Sequence, residues 1–473
     1  MIRRWLRTPR ARRGLALGIV VLATGGLVLA RAPGGASLST FGVASGQNAT
    51  TFSGPGASGS LALSQTKVHT QGAQTVFAEL RLRADASRAV AEERAPLSLA
   101  IVIDTSGSMS GEKIESAKRS VISFLRQMRD DDEVAVVRYD HAHEVLQPLA
   151  RVGAIRSSLI DKVSTLQAGG GTNIPPALSQ GLSLLSDSGA RRVRRVVLVS
   201  DGLDSGRDRA SQIAQSASDS RTTVSALGIG LDFDEGYMSA VAGSGRGNFG
   251  FVQDAGTLAR FLERELKETA NTVIESARAS VELPAGARFV RAVGARGSVS
   301  GNTLELDVGS LFAGDERRVV VELAFDAEHG ESMPLRADVS WQRVGGDRVN
   351  SRLAALTVTG ERDGEAVLAS RDGSIYASAL SATASLRQIA AAEAYARGDR
   401  DQADDLLKQN EQSLQVAAAA APEAERAAIG RQLDEVSDAR SKFRSFAPGS
   451  PAAKAAGKSS AAKNAENLSR KAF

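Results

Sequence analysis

The stretch LSLAIVIDTSGSMSG, Leu97–Gly111, decides the fold because an apolar run changes abruptly into an oxygen-rich turn. Leu97–Ile103 is apolar apart from one serine, which is typical of a strand covered on both faces, as in parallel sheets. Asp104–Gly111 then offers one carboxylate and four hydroxyls. From Ile114 to Met128, apolar residues recur every three or four positions, which predicts a helix. Strand, turn and helix in this order indicate one unit of an α/β sheet.

Buried strands and amphipathic helices continue to alternate for about 175 residues. Further apolar runs at Glu133–Tyr139 and Arg194–Ser200 predict strands, and helical periodicity separates them. We therefore expect a doubly wound, mostly parallel α/β sheet, related to Rossmann-type folds, over residues 96–272.

Oxygen-bearing residues follow several of these predicted strands. Asp104, Ser106 and Ser108 follow the first buried strand, Asp201 follows VVLVS, and Thr172 lies in the loop AGGGTN before a helix. Ligand sites of such sheets lie beyond the carboxyl ends of the strands, so three segments bring oxygens to one rim. Carboxylate and hydroxyl oxygens suit a hard divalent cation, and Mg²⁺ keeps several waters and needs few protein ligands. We expect Mg²⁺, with Mn²⁺ or Ca²⁺ as alternatives.

These residues resemble the metal-ion-dependent adhesion site of von Willebrand factor A domains, over residues 96–272. All five motif positions are present, which makes the site intact: Asp104, Ser106, Ser108, Thr172 and Asp201. The resemblance implies that the serines coordinate directly, that the threonine and aspartates bind directly or through water, and that an Asp or Glu of a partner protein completes the shell. It further implies a non-enzymatic protein of adhesion or envelope-complex assembly. A scaffold or adaptor of a membrane or ATPase-linked complex is the alternative.

The segments on either side of the α/β unit have an all-β pattern. Residues 275–360 consist of short alternating runs separated by Gly, Pro and Asp, which predicts a β-sandwich. Residues 61–95 also alternate, and we expect them to add strands to that sandwich.

The C-terminal part has helical periodicity. Residues 374–446 predict a helical hairpin with its junction at Gly398-Asp399, where Asp399 can cap the second helix. Residues 447–473 are rich in Ala, Ser and Lys, a low-complexity composition that predicts a disordered tail.

The N-terminus has the pattern of a targeting segment. Six arginines precede the 17 uncharged, mostly apolar residues Gly14–Ala30, so residues 1–30 predict a signal peptide or signal anchor. We expect an exported protein of the periplasm or cell surface, with anchoring in the inner membrane as the alternative to cleavage. Residues 31–60 are rich in Gly, Ser, Ala and Thr and predict a flexible linker.

Composition excludes several classes of function. The net charge is +4, and the six N-terminal arginines account for all of it, since the remainder has 52 basic and 54 acidic residues. This balance argues against a nucleic-acid partner. The chain has no cysteine, which excludes disulfides, thiolate zinc sites and cysteine nucleophiles.

Three weaker signals were weighed against these expectations. The segment Gly245–Gly250 matches G-x-G-x-x-G, but it precedes a predicted strand instead of a helix, so we interpret it as a turn. His141 and His143 have the spacing of a zinc pair without a clear third ligand. A metal-assisted hydrolase with Ser108 as nucleophile is a lesser alternative, because the sequence has no G-x-S-x-G motif.

Overall fold

The computed structural model describes residues 48–86, 96–189, 192–201, 204–230, 233–252, 260–261, 264–265, 267–268, 271–446 and 450–469. The leader predicted over residues 1–30, and residues 31–47 of the predicted linker, lie outside these ranges. Within them, no helix combines the length and the hydropathy needed to cross a membrane.

Four strands that precede the α/β unit belong to a β-sandwich. They are β1 (Ala49–Gly54), β2 (Ala57–Leu63), β3 (Lys67–His69) and β4 (Gln74–Ala84). The linker prediction over residues 31–60 is therefore wrong for residues 49–60. Small residues suggested a flexible coil, but Phe52 is buried and packs on Trp341, with ring centroids 5.9 Å apart. That aromatic contact fixes the β1–β2 hairpin on the sandwich core.

The α/β unit is inserted between β4 and the rest of the sandwich. Its strands are β5 (Leu97–Asp104), β6 (Glu133–Tyr139), β7 (His143–Arg151), β8 (Val193–Ser200), β9 (Thr222–Ile229) and β10 (Arg246–Val252), in the spatial order β10-β9-β8-β5-β6-β7. Only the edge strand β7 is antiparallel to its neighbour. The helices are α1 (Glu112–Gln127), α2 (Val152–Ser164), α3 (Ile174–Leu184), α4 (Arg207–Asp219) and α5 (Glu235–Ser244).

The central strand β5 explains why the sheet is wound on both sides. All eight of its residues are buried. Leu99 and Ile101 belong to the apolar cluster that packs against α1 and α2, while Ala100 and Val102 belong to the cluster on the opposite face, against α3 to α5. Because side chains alternate along a strand, a continuous apolar run covers both faces. The predicted α/β fold class is confirmed.

The described residues 260–261, 264–265 and 267–268 are helical, and the remaining strands then complete the sandwich. They are β11 (Thr272–Glu282), β12 (Ala287–Val293), β13 (Arg296–Ser300), β14 (Thr303–Phe312), β15 (Glu316–Phe325), β16 (Ser332–Arg343), β17 (Arg348–Arg352) and β18 (Leu356–Glu361). One sheet has the order β1-β2-β4-β15-β12 and the other β13-β14-β11-β16-β18-β3, with β17 beside β16. Both sheets contribute to one apolar core.

Five helices follow the sandwich: α6 (Gly364–Ala369), α7 (Gly373–Ala396), α8 (Arg400–Ala420), α9 (Glu423–Ser445) and α10 (Pro451–Ser469). The junction between α7 and α8 lies at Gly398, whose φ is +86°, and the Asp399 carboxylate accepts a hydrogen bond from the amide of Gln402 at 3.0 Å. The expected hairpin is incomplete, because a third long helix, α9, begins after Pro422 within the same range.

The prediction of a disordered tail over residues 447–473 is wrong for helix α10. Alanine is a strong helix former, so a composition that suggested disorder also favours a helix once a partner surface exists. Ala453, Gly457 and Ala461 lie on one face, and this face of small residues packs against the alanine-rich α7. Lys458 donates a hydrogen bond to the carbonyl of Phe233 at 2.6 Å, which ties α10 to the α/β unit.

The glycines of the G-x-G-x-x-G segment serve strand packing. The strand β10 begins at Arg246, so Gly247 and Gly250 lie inside a strand and not in a turn as the sequence suggested. A side chain at Gly247 would place its Cβ 2.2 Å from the carbonyl oxygen of Val224 in β9. Close backbone approach, and not nucleotide binding, therefore explains the glycine at that position.

Candidate metal centre

Two predicted ligand segments become neighbours because β5 and β8 are adjacent and parallel. Ile103 pairs with Val199 in the register of the two strands, so Asp104 at the end of β5 and Asp201 directly after β8 leave the same edge of the sheet. Both aspartates are buried. The parallel topology thus places two carboxylates, separated by almost 100 residues in sequence, at one rim.

The third segment is held to the first by backbone hydrogen bonds. The amide of Gly107 donates to the carbonyl of Gly170 at 2.9 Å, and the amide of Gly169 donates to the carbonyl of Thr105 at 2.8 Å. These two bonds fix the loop that carries Thr172, which is half-buried, against the loop after β5. All three predicted segments are therefore brought together.

Asp204 joins the second and third segments and was missed by sequence reasoning. Its carboxylate accepts hydrogen bonds from the amide of Ile174, the first residue of α3, and from the amide of Gly206. It thereby caps a helix that has no side-chain cap of its own and holds the loop of Asp201 beside the loop of Thr172. The sequence carries no signal for such a partner, because Asn173 is itself a preferred N-cap residue and only the structure shows that its side chain makes no capping bond.

The side-chain oxygens of Ser106, Ser108 and Asp201 lie close together at the rim. The hydroxyls of Ser106 and Ser108 are 3.0 Å apart, and the Ser108 hydroxyl donates to Oδ1 of Asp201 at 2.7 Å. Both separations are those of ordinary O–H···O hydrogen bonds. The donor set of hydroxyl and carboxylate oxygens suits a hard divalent cation such as Mg²⁺.

Asp104 lies behind these hydroxyls in a fully buried pocket of hydrogen-bond donors. Its Oδ1 accepts from the amide of Ser106 at 2.8 Å, and its Oδ2 accepts from the hydroxyls of Ser200 at 2.7 Å and Tyr139 at 3.4 Å. Burial raises the pKa of Asp104 above its ordinary value, and the bonds from Ser106 and Ser200 oppose that rise. Burial and the nearby Asp104 charge hold the pKa of Tyr139 well above its usual range, so Tyr139 remains a donor.

Lys113 supplies a positive charge that sequence reasoning also missed. Its ammonium group forms an ion pair with Oδ2 of Asp201, while Oδ1 of the same carboxylate faces Ser108. The Lys113 side chain is 28% exposed and the Asp201 side chain is 0% exposed. Because Lys113 lies in the first turn of α1, directly after the oxygen-rich loop, its position offered a signal, but only the fold shows that it contacts Asp201.

The two histidines weighed for zinc lie at the same rim without forming a cluster. His141 is mostly exposed, and its Nδ1 is 2.9 Å from Oδ1 of Asp140. His143 begins β7. Across the described ranges, no group of three or more His, Cys, Asp or Glu side chains is arranged to hold a metal, so a cation at this rim depends on the hydroxyl ligands.

Comparison with known families agrees with this geometry. A family model described as "von Willebrand factor type A domain" matches residues 98–264. The chain therefore contains a von Willebrand factor type A domain. The match covers β5 to β10 and includes all five positions of the candidate metal centre.

Two solved structures share the fold over most of the chain. A von Willebrand factor type A protein from Catenulispora acidiphila has a TM-score of 0.63 at 17% identity, covering 89% of this chain and 98% of that one. The ArnB paralog from Sulfolobus acidocaldarius has a TM-score of 0.56 at 14% identity, covering 86% of this chain and 99% of that one. The combination of the A domain with its flanking elements is thus a shared architecture.

Curated relatives include bacterial and animal proteins with A domains. An uncharacterized protein of Synechocystis sp. is 27% identical over 54% of this chain, and the uncharacterized protein YfbK of Escherichia coli is 24% identical over 52%. These alignments span 63% and 44% of the two relatives' own lengths. An inter-alpha-trypsin inhibitor heavy chain of Mus musculus is 28% identical over 32% of this chain and 17% of its own length.

Proposed function

We propose that this protein binds a partner protein through a divalent cation held by its A domain. Asp104, Ser106, Ser108, Thr172 and Asp201 would hold the cation, with Mg²⁺ as the ion that fits best. The observation that carries the proposal is the cluster of hydroxyl and carboxylate oxygens, 2.7–3.0 Å apart, of Ser106, Ser108 and Asp201. Backbone hydrogen bonds hold the loop of Thr172 beside this cluster. When bound, the cation supplies a Lewis-acidic position for an oxygen ligand from outside the chain.

Charge at the rim favours an acidic group of the partner. Asp104 and Asp201 contribute two negative charges, and Lys113, paired with Asp201, returns one positive charge. A bound divalent cation would leave the site with one net positive charge. An Asp or Glu side chain from a partner would neutralise it, whereas a neutral ligand would leave a partly buried charge unbalanced.

The exposure of the ligands gives a direction of approach. Asp104 is fully buried at the base, whereas Ser108 is exposed, so the cluster opens toward solvent at Ser108. His141 lies against the Gly170 loop at the same rim, with its side chain 76% exposed, and would contact an arriving partner. The partner's carboxylate would thus enter beside Ser108 and His141.

The proposal assigns binding and not catalysis to this site. Ser108 is the one exposed hydroxyl of the cluster, and it donates to Asp201, whose other oxygen is paired with Lys113. Among the described contacts of Ser108, none joins it to a histidine, the usual general base of a serine nucleophile. We propose an adhesion or envelope-assembly role. The alternative role, as a scaffold or adaptor of a membrane or ATPase-linked complex, would use the same site.

Export to the periplasm or cell surface is part of the proposal and rests on residues 1–30. The basic residues followed by Gly14–Ala30 support a signal peptide or an inner-membrane anchor. A reporter fused after Phe473, active only outside the cytoplasm, tests the compartment. N-terminal sequencing of the mature protein separates cleavage from anchoring.

Partner capture tests the binding proposal. Immobilised full-length protein is incubated with envelope extract in Mg²⁺ and, in parallel, in EDTA. We expect a defined partner to be retained only with Mg²⁺ and to be lost with Asp104→Ala. Asp187→Ala, which changes an exposed carboxylate elsewhere in the same domain, is the matched control and should retain the partner. Equal retention in EDTA, or by Asp104→Ala, contradicts the proposal.

A further inference from the structure

A cavity of about 570 Å³ lies where the A domain, the sandwich and the C-terminal helices meet. Its lining comes from α4, α5 and β10 of the A domain, from β12 to β15 of the sandwich, and from α7 and α10. The volume is within the range of about 300–1,000 Å³ that is typical of small-molecule sites. The metal centre contributes none of the lining residues.

One wall of the cavity is apolar. Val293 from β12, Leu386 and Ile389 from α7, and Leu468 from α10 line it. Val293 is buried within a small apolar cluster, and Leu386 and Leu468 pack against that cluster. This wall can cover the apolar part of a ligand.

The opposite wall carries arginines around a single carboxylate. Arg246 of β10 is paired with Asp307 of β14, and both side chains are nearly buried, at 12% and 14% exposure. Arg296 of β13 lies 3.3 Å from the same carboxylate, and the guanidinium of Arg278 lies 4.0 Å from it. Arg296 also contacts Asp219, a half-exposed residue of the A domain, at 3.2 Å.

The charges of this cluster do not balance. Three guanidinium groups face two carboxylates, and one of those carboxylates is half-exposed to solvent. Three more arginines line the cavity. Arg264 and Arg317 have acidic partners in Glu268 and Asp315, and Arg207 adds a further positive charge. Burial, together with the charges of Arg296 and Arg278, lowers the pKa of Arg246 to about 10. A partly buried cluster with surplus positive charge is stabilised by an added anion.

We propose that this cavity binds a small amphipathic anion, with a carboxylate or phosphate head on Arg246 and Arg296 and an apolar body against Val293, Leu386 and Leu468. Arginine suits both heads, because its planar fork of donors matches the oxygens of carboxylate and phosphate. The site and the proposed metal centre are independent, so either can fail without the other.

Octyl phosphate is the probe, and isothermal calorimetry on the full-length protein is the measurement. Inorganic phosphate and octanol, each tested alone, represent the two halves of the ligand. We expect octyl phosphate to bind at least tenfold more tightly than either half, because only the complete molecule uses both walls. Failure to bind, or binding no tighter than inorganic phosphate, overturns the proposal.

Substitutions locate the binding. Arg296→Gln should weaken octyl phosphate binding about tenfold through loss of a charged contact with the head, while Ile389→Trp should weaken it by filling the apolar side. Arg336→Gln is the matched control: its side chain is 62% exposed on the same sandwich, away from the cavity lining, and it should leave the affinity unchanged. Circular dichroism verifies that each variant is folded. Affinity that is unchanged in both cavity variants places the probe elsewhere and overturns the proposal.

Two sources could supply such an anion, and a sedimentation arm separates them. The protein is centrifuged with phosphatidylglycerol vesicles and, as a control, with phosphatidylcholine vesicles. The site is assigned to an anionic lipid if the protein binds octyl phosphate and also sediments with phosphatidylglycerol vesicles but not with phosphatidylcholine vesicles. Arg296→Gln should then abolish that sedimentation. Octyl phosphate binding without sedimentation assigns it to a free amphipathic anion. Both results support the site and differ in its source.

Discussion

The metal centre and the arginine-lined cavity are two charged clusters that the fold assembles in different ways. The candidate metal centre lies at one edge of a single sheet, where three loops meet, and its carboxylates outnumber its one ammonium group. The cavity gathers arginines and apolar side chains from the A domain, the sandwich and the helices, and its guanidinium groups outnumber the nearby carboxylates. The first is suited to a cation and the second to an anion. The described part of the chain thus carries two clusters of opposite charge, one on the A domain alone and one where the A domain meets the sandwich and the helices.

The largest effect is expected from removing a carboxylate of the metal centre. Asp201→Ala should lower the affinity for Mg²⁺ at least 100-fold, because it removes one of two negative charges and the partner of Ser108. Calorimetric titration with Mg²⁺ measures this, and Asp187→Ala is the control. If the two clusters are separate, octyl phosphate binding stays within twofold of the unsubstituted protein. A parallel loss of both activities would instead indicate a global defect.

Removing the positive charge of Lys113 should change the Mg²⁺ affinity in the opposite direction. Lys113→Met should tighten Mg²⁺ binding roughly tenfold, because the ammonium group competes with the cation for Asp201 and repels it. Lys118→Met, in the same helix but paired with Glu115, should leave the affinity unchanged. Weaker binding in Lys113→Met would mean that the lysine positions Asp201 and does not oppose the cation.

The backbone contact between two loops gives a smaller test. Gly170 has a φ of +80°, and a Cβ there would lie 2.9 Å from Nδ1 of His141, so Gly170→Ala should cost about 1–2 kcal/mol in strain and shift the loop of Thr172. We expect Mg²⁺ affinity to fall several-fold. Gly169→Ala is the matched control, since a Cβ at Gly169 meets no atom within 4 Å. Equal affinities for both variants would show that this loop contributes nothing to the centre.

The smallest effect is expected in a third charged cluster, in which Asp404 of the helical segment contacts several basic side chains. Asp404 in α8 contacts Arg440, Arg444 and Lys408. The hydrogen bond from Arg440 has the largest effect and holds the pKa of Asp404 well below its usual range. Asp404 shares Arg440 with a second acid, Glu411. Asp404→Asn should lower stability by about 1 kcal/mol or less at pH 7, because such ion pairs are screened by solvent.

The pH dependence of that variant checks the sign. A carboxyl whose folded-state pKa is lowered stabilises the fold above its unfolded pKa, near 3.9, and loses that contribution as the pH falls toward the folded value. The difference in melting temperature between Asp404→Asn and the unsubstituted protein should therefore be present at pH 7 and shrink below pH 4. A difference that grows in acid would contradict the ion-pair assignment.

The sequence predicted the parts of the molecule in which short-range pattern and topology agree. The apolar run of β5 indicated a strand covered on both faces, and parallel strands meet at one edge, so Asp104 and Asp201 could be placed together without a structure. Lys113 and Asp204 were missed because their contacts depend on loop conformations. The arginine-lined cavity was missed because Arg246 and Asp307 meet only when two domains pack together.

Two segments were wrongly predicted to be flexible for the same reason, their amino-acid composition. Residues 49–60 and Pro451–Ser469 are rich in small residues, and that composition suggested flexibility. In the first segment one aromatic side chain, Phe52, anchors a hairpin on the sandwich core. In the second, small side chains at every fourth position allow close helix packing. Small residues indicate disorder only where no partner surface is available to them.

Titration with Mn²⁺, followed by electron paramagnetic resonance, tests the central claim most directly. Free Mn²⁺ gives a sharp six-line signal that is strongly reduced on binding to protein. The full-length protein is first treated with EDTA and desalted. We predict that it then binds one equivalent of Mn²⁺, seen as loss of the free-ion signal, and that added Mg²⁺ restores the signal by competition. Asp104→Ala should bind no Mn²⁺. A signal that stays unchanged on adding the protein, or that falls equally with Asp104→Ala, would contradict the assignment of the five residues to a metal centre.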